Sequence, residues 1–141
     1  MFTSAALCLA TAIYFEARGE PTVGQIAVAN VIVNRAHDRR YPNTICEVVQ
    51  QGPTYKWSSN LPVRHRCQFS FYCDGKPEEI YDDSAFEKAV GIASRIISGD
   101  IVDITDGATH YHATRILPEW ASSKTQTVTI NNHIFYRWEK R

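Results

Sequence analysis

The chain has 141 residues, 44% of them apolar and 21% charged, proportions of a folded domain whose core needs neither metal nor disulfide support, and they argue against disorder or collagen-like repetition. Fifteen Lys and Arg offset fifteen Asp and Glu, so no net field steers the protein to nucleic acid or to an anionic surface. A single domain over residues 1–141 is expected, a monomer with no nucleic-acid partner and no insertion into a membrane.

The first fifteen residues carry no charged side chain, and the apolar run from Ala5 to Phe15 passes straight into EARGE. That run lacks the basic flank of a signal peptide and falls short of the roughly 20 apolar residues that span a bilayer. Ser4 is placed to cap a helix over 5–18, with Gly19 as its stop and Pro21 just beyond. Apolar residues surround its axis, so this helix is expected at the centre of the fold. A second helix is expected over 22–39, apolar from Ile26 to Val33 before it turns polar at NRAHDRR. Pro42 and Asn43 introduce a short third helix through ICEVVQQ, and GPTYKWSSNLPVRHR reads as an exposed loop rich in turn formers.

CQFSFYC reads as a short strand or an extended loop, closed by the Asp74-Gly75 turn. A fourth helix over 84–98 starts from Asp83 or Ser84 and stops at Gly99, with Phe86, Ala89, Val90, Ala93, Ile96 and Ile97 on its inner stripe. ATHYHAT, TQTVTI and HIFYRW then read as strands, the last two joined through Asn131-Asn132. The fold class is α+β, a helical core followed by a small antiparallel sheet in the C-terminal part. Cys8, Cys46, Cys67 and Cys73 fit either two disulfides or buried thiols, and their spacing makes no paired CxxC zinc pattern. Cys67 and Cys73 are near enough in sequence for a local bridge, given an oxidising destination.

Helical spacing puts Glu16 on one stripe with Leu9, Ala12 and Ile13, so its carboxyl points with apolar residues. Burial disfavours the charged form and raises the pKa, the condition for a general acid at neutral pH. The structural alternative is a Glu16 paired with Arg18, Arg35 or another cation.

EARGEP, GQIAVANVIVNR, PNTICEVV, CQFSFYCDGK, GATHYHA, PEWA and NNHIFYR follow one another in an order that resembles the SleB/CwlJ family of cell-wall hydrolases, which includes spore-cortex, bacterial and phage enzymes. The resemblance covers nearly the whole chain. It implies a lysozyme-like domain that cuts peptidoglycan between N-acetylmuramic acid and N-acetylglucosamine, often as a lytic transglycosylase, with no cofactor and with Glu16 as the catalytic acid. A conventional glycosidase also needs a second carboxylate. Glu20 lies past Gly19, in a direction the spacing does not fix, and reads as structural. A lytic transglycosylase needs no second carboxylate, because the 6-hydroxyl of the muramoyl residue attacks the anomeric carbon and leaves a 1,6-anhydro end.

For sugar binding, extended geometry puts Gln68 and Ser70 on one face and Phe69 on the other, so the first two can hydrogen-bond N-acetyl or hydroxyl groups. Along HYH, Tyr111 faces opposite to His110 and His112, and the resemblance places this strand at the cleft, which makes Tyr111 and His112 candidates. Trp57 and Trp120 sit in turn-rich segments where a ring can stack on a sugar, Trp120 within the family pattern. Trp138, Asn34 and Arg35 read as structural. Two other functions remain open: a zinc amidase or peptidase built on His110, His112 and a third ligand such as His133 or Asp106, and a wall-binding module without catalysis. The expected place of action is the bacterial cell wall, periplasmic or extracellular. Without a recognisable export signal, the route there fits a phage endolysin released from the host cytoplasm through a holin.

Overall fold

The computed structural model describes residues 3–52, 62–75 and 79–139. The first helix, α1 (Ser4–Ala17), begins one residue earlier than expected because Thr3 is its cap: the Thr3 hydroxyl accepts from the Ala6 amide at 3.2 Å. Leu9, Ala10, Ala12, Ile13 and Tyr14 are wholly enclosed, and α2 (Thr22–Ala36), α3 (Ile45–Val49) and α4 (Asp83–Ile97) all pack against α1. A helix apolar on every side has to be surrounded, and this one is.

α2 stops three residues short of the expected end, where the His37 amide folds back onto the Val33 and Asn34 carbonyls. α3 starts from Thr44, whose hydroxyl accepts from the Glu47 amide at 3.2 Å. Asp82 caps α4 in the same way, accepting from the Ala85 amide at 3.0 Å. The phenol of Tyr14 accepts from the Tyr81 and Asp82 amides at 3.1 and 3.0 Å, so the central helix holds the entry to α4. Gly99, at φ +87°, supplies the left-handed residue that ends α4.

The chain closes with β1 (His110–Ala113), β2 (Thr125–Ile130) and β3 (His133–Arg137), an antiparallel sheet in the order β1-β3-β2. Asn131, at φ 52°, makes the turn of the β2–β3 hairpin. Ala27 and Val31 of α2 pack with Ala108 and Phe135 and join the sheet to the helices. Two α2 amides fasten the loop before β1. Asn30 accepts from the Ile104 amide at 3.1 Å, and Asn34 donates to Asp103 at 3.0 Å and to the Ala108 carbonyl at 2.9 Å. The structural reading of Asn34 agrees with these bonds.

CQFSFYC is neither strand nor extended loop: Ser70–Cys73 forms a 3-10 helix. The reason is the Cys67–Cys73 disulfide, whose Cα atoms are 6.1 Å apart, whereas six residues of strand would separate them by about 20 Å. A strand and a local bridge were incompatible readings of one segment. The second disulfide, Cys8–Cys46, ties α1 to α3. PEWA begins another 3-10 helix, Glu119–Ser123. Trp57 and most of the loop expected around it lie outside the described residues. The architecture is the expected α+β.

Candidate active site

Glu16 leaves the last turn of α1 on the stripe that Leu9, Ala12 and Ile13 bury, and it emerges half-buried into a cleft of 270 Å³. Arg35, Gln68, Phe69, His110, Tyr111 and Trp120 line the rest of that cleft. Burial pushes the Glu16 carboxyl above the ordinary carboxylate range, and a hydrogen bond from the Tyr111 hydroxyl at 3.2 Å pulls only partly the other way. No ion pair among the described residues involves Glu16. The guanidinium of Arg18 lies over the Tyr14 ring at 4.5 Å instead, and Arg35 Nε donates to the Thr109 carbonyl at 2.7 Å.

Tyr111 comes from β1 and is wedged in place by aromatic neighbours, stacked on its cross-strand partner Phe135 at 5.6 Å and met edge-on by His133 at 5.3 Å. Burial, with Glu16 beside it, raises the phenol's pKa, so Tyr111 remains a donor towards the carboxylate throughout the working pH range. Its partner on the far side, His133, is itself held by Glu20 at 3.0 Å. Glu20 is therefore turned to the hairpin and takes no part in lining the cleft.

Gln68 and Phe69 reach the cleft on the disulfide-closed loop. Phe71 of that loop stacks on Phe15 at 5.0 Å, one residue from Glu16, and the Gln68 amide donates to the Gln51 carbonyl at 2.9 Å. Phe69 is buried and Gln68 is exposed beside it. Ser70 opens the 3-10 helix, so it does not share the Gln68 face and stands outside the lining.

His112 also stands outside the lining. It is buried with both ring nitrogens engaged, at 2.7 Å from the Ala113 carbonyl and 2.7 Å from the Tyr136 hydroxyl, and its ring stacks on Tyr136 at 5.2 Å. Trp120 covers this face of the sheet, 5.0 Å from the His110 ring and 5.7 Å from that of His112. His110, not His112, is thus the strand histidine in the cleft. Burial, then the charges of Arg35 and Lys124, lower its pKa to about 4 against the opposing pull of Asp38, so it is neutral at neutral pH.

Arg35 and His110 were not singled out as cleft residues from the sequence. For Arg35 the signal was there: it lies seven, four and three residues after Val28, Val31 and Ile32, a polar residue on an apolar stripe just as Glu16 is.

A zinc centre on His110 and His112 is not favoured by these contacts. His112 has no free nitrogen, His133 is paired with Glu20 and Asp106 with Arg137 at 2.7 Å. Among the described residues no three His, Cys, Asp or Glu side chains gather as a metal cage.

A family model described as cell wall hydrolase matches residues 19–136. The chain belongs to this family. The spore cortex-lytic enzyme of Halalkalibacterium halodurans is 34% identical over 128 residues, covering 90% of this chain and 33% of that protein. The spore cortex-lytic enzyme of Bacillus cereus is 51% identical over 41 residues, 29% of this chain and 16% of its own. The chain therefore spans a third or less of these curated relatives. Among solved structures, the catalytic domain of the germination-specific lytic transglycosylase SleB from Bacillus anthracis superposes with a TM-score of 0.63 at 25% identity, over 96% of this chain and 97% of that one. The SleB catalytic domain of Bacillus cereus gives 0.65 at 26% identity, over 97% and 93%. The fold of this cell wall hydrolase is that of the SleB catalytic domains, the expected lysozyme-like arrangement.

Proposed function

We propose that this domain cleaves the glycan strand of peptidoglycan between N-acetylmuramic acid and N-acetylglucosamine as a lytic transglycosylase, with Glu16 as acid and then base. The observation that carries this is Glu16, the one carboxyl among the described residues of the cleft, its pKa raised by burial and its side chain held by the Tyr111 hydroxyl. Protonated Glu16 gives its proton to the departing glycosidic oxygen. The resulting carboxylate, still within reach of the Tyr111 donor, then takes the proton of the muramoyl 6-hydroxyl as that oxygen closes on the anomeric carbon. One carboxyl suffices for both transfers, whereas hydrolysis by inversion or by a covalent intermediate needs two. Among the described residues Glu20, the next carboxylate in sequence beyond the end of α1, is occupied by His133. The family match begins at residue 19, so the role of Glu16 rests on this geometry and on the order of motifs around it.

Gln68, Trp120 and Tyr111 would contact sugar at the cleft wall, Gln68 through its amide and Trp120 through its ring. The place of action is the bacterial cell wall. Two disulfides support a site outside the reducing cytosol. Digestion of purified peptidoglycan by wild type and Glu16→Gln, with mass spectrometry of the products, tests the reading. Anhydro-muramoyl ends are expected from wild type, and about 10²–10⁴-fold less product from the variant. Reducing muramoyl ends would make the enzyme a muramidase, free stem peptides an amidase, and full activity in Glu16→Gln would remove Glu16 from the mechanism.

A further inference from the structure

Arg35 is buried to 7% exposure in the cleft wall and makes no ion pair with any described carboxylate. Its guanidinium carbon lies over the rings of Tyr41 at 5.3 Å and Phe69 at 5.6 Å, and its Nε donates to the Thr109 carbonyl. The two terminal nitrogens donate to no described residue. Asp38, one turn further along the chain, is taken by Arg40 at 3.1 Å. A buried cation without a counter-anion is unfavourable and is normally paired.

None of the described groups around it forms an ion pair with it. Burial raises the Glu16 pKa and so disfavours its anionic form, His110 is neutral, and Lys124 adds a second cation nearby, 3.9 Å from the centre of the Trp138 ring and 5.9 Å from that of Trp120. Arg35 and Lys124 thus place two cationic groups at this side of the cleft in a protein whose formal net charge is zero.

We infer that Arg35 is the anchor of a carboxylate-binding subsite, one that recognises an acidic group on the muramoyl side of the glycan. This deepens the glycan-cleavage reading and rests on it. In peptidoglycan the sugars themselves are neutral, and carboxylates occur only on the lactyl group of a muramoyl residue stripped of its peptide or on the stem peptide. A guanidinium carries its terminal donors in one plane, the geometry that meets a carboxylate with two parallel hydrogen bonds, and the neighbouring rings of Tyr41 and Phe69 hold this one in the cleft wall. Gln68 and neutral His110 flank it as uncharged partners for the adjoining sugar. Arg35 is therefore a specificity-determining residue, separate from the proton transfers of Glu16.

Titration calorimetry on the Glu16→Gln protein tests this without turnover. The probes are a peptide-free tetrasaccharide of alternating N-acetylglucosamine and N-acetylmuramic acid with free lactyl carboxylates, the same glycan as its lactyl methylamide, and a stem-peptide-bearing tetrasaccharide. Either the free-lactyl or the stem-bearing glycan is expected to bind at least about tenfold tighter than the methylamide, and the one that does identifies which carboxylate is bound. Adding Arg35→Gln should abolish the preference, while Arg35→Lys keeps part of it because the charge stays but the fork is lost. If the Arg35 variants fail to fold, judged by their melting transitions, the comparison among the three glycans on Glu16→Gln alone decides. Equal affinity for all three overturns the subsite. Loss of anhydro products from wild type would instead overturn the cleavage reading, and the two failures are read in different experiments.

Discussion

Burial and the Tyr111 hydrogen bond act on Glu16 in opposite directions, and the opposition has a measurable sign. Burial raises the Glu16 pKa and the phenol's hydrogen bond lowers it, so burial favours the protonated acid while the phenol steadies the carboxylate formed after proton transfer. Cleavage therefore falls as pH rises through the raised Glu16 pKa. In Tyr111→Phe that alkaline limb should move to higher pH, because the group that lowers the pKa is gone, and kcat at the optimum should drop by about tenfold as the carboxyl loses its orientation. A pH–rate profile of kcat in the two proteins checks both; an unmoved limb would mean Glu16 is not the titrating acid. The same burial works against stability. A carboxyl whose folded pKa is raised stabilises the fold fully only below the ordinary Glu pKa, and that contribution is lost as pH rises through the folded value. Glu16→Gln should accordingly melt higher than wild type near pH 7, with the gap closing towards pH 4, as thermal denaturation at the two pH values would show.

At the scale of elements, what the sequence announced and what it concealed have different physical origins. Periodicity is a local property, so α1, α2, α4 and the β2–β3 hairpin were visible in the spacing of apolar residues and in Gly99 and Asn131, and Glu16 was visible as the exception on its stripe. The 3-10 turn at Ser70–Cys73 was concealed because a covalent bond, not a propensity, closes that segment. With the turn went the expected pairing of Gln68 with Ser70. The choice between His110 and His112 was concealed as well, since it is settled by Tyr136 and Trp120, distant in sequence, which capture His112. The two bridges should separate on testing. Cys8–Cys46 spans 38 residues and links two core helices, so replacing both cysteines by serine should lower stability by about 4 kcal/mol, against about 2 kcal/mol for Cys67–Cys73 with its separation of 6. The short bridge should instead act on KM, because it holds Gln68 and Phe69 in the cleft. Denaturant titration and steady-state kinetics of the two double variants distinguish these effects, and a larger stability loss from the short bridge would contradict the division.

For the molecule as a whole, the balance of fifteen basic and fifteen acidic groups sets how it meets an anionic wall. Long-range attraction scales with net charge and is screened over about 10 Å at 0.1 M salt, so a neutral protein gains little from it at any ionic strength. The positive charge that matters sits on Arg35 in the cleft wall, over the rings of Tyr41 and Phe69. Capture of the glycan then depends on short-range contacts, and the rate of fragment release from purified walls should change by less than about twofold between 0.05 and 0.2 M salt. Release measured by absorbance of soluble fragments across that range is the check. A steep decline with salt would locate the dominant attraction on exposed surface cations rather than in the cleft, and would make wall attachment, not the Arg35 subsite, the step that selects substrate.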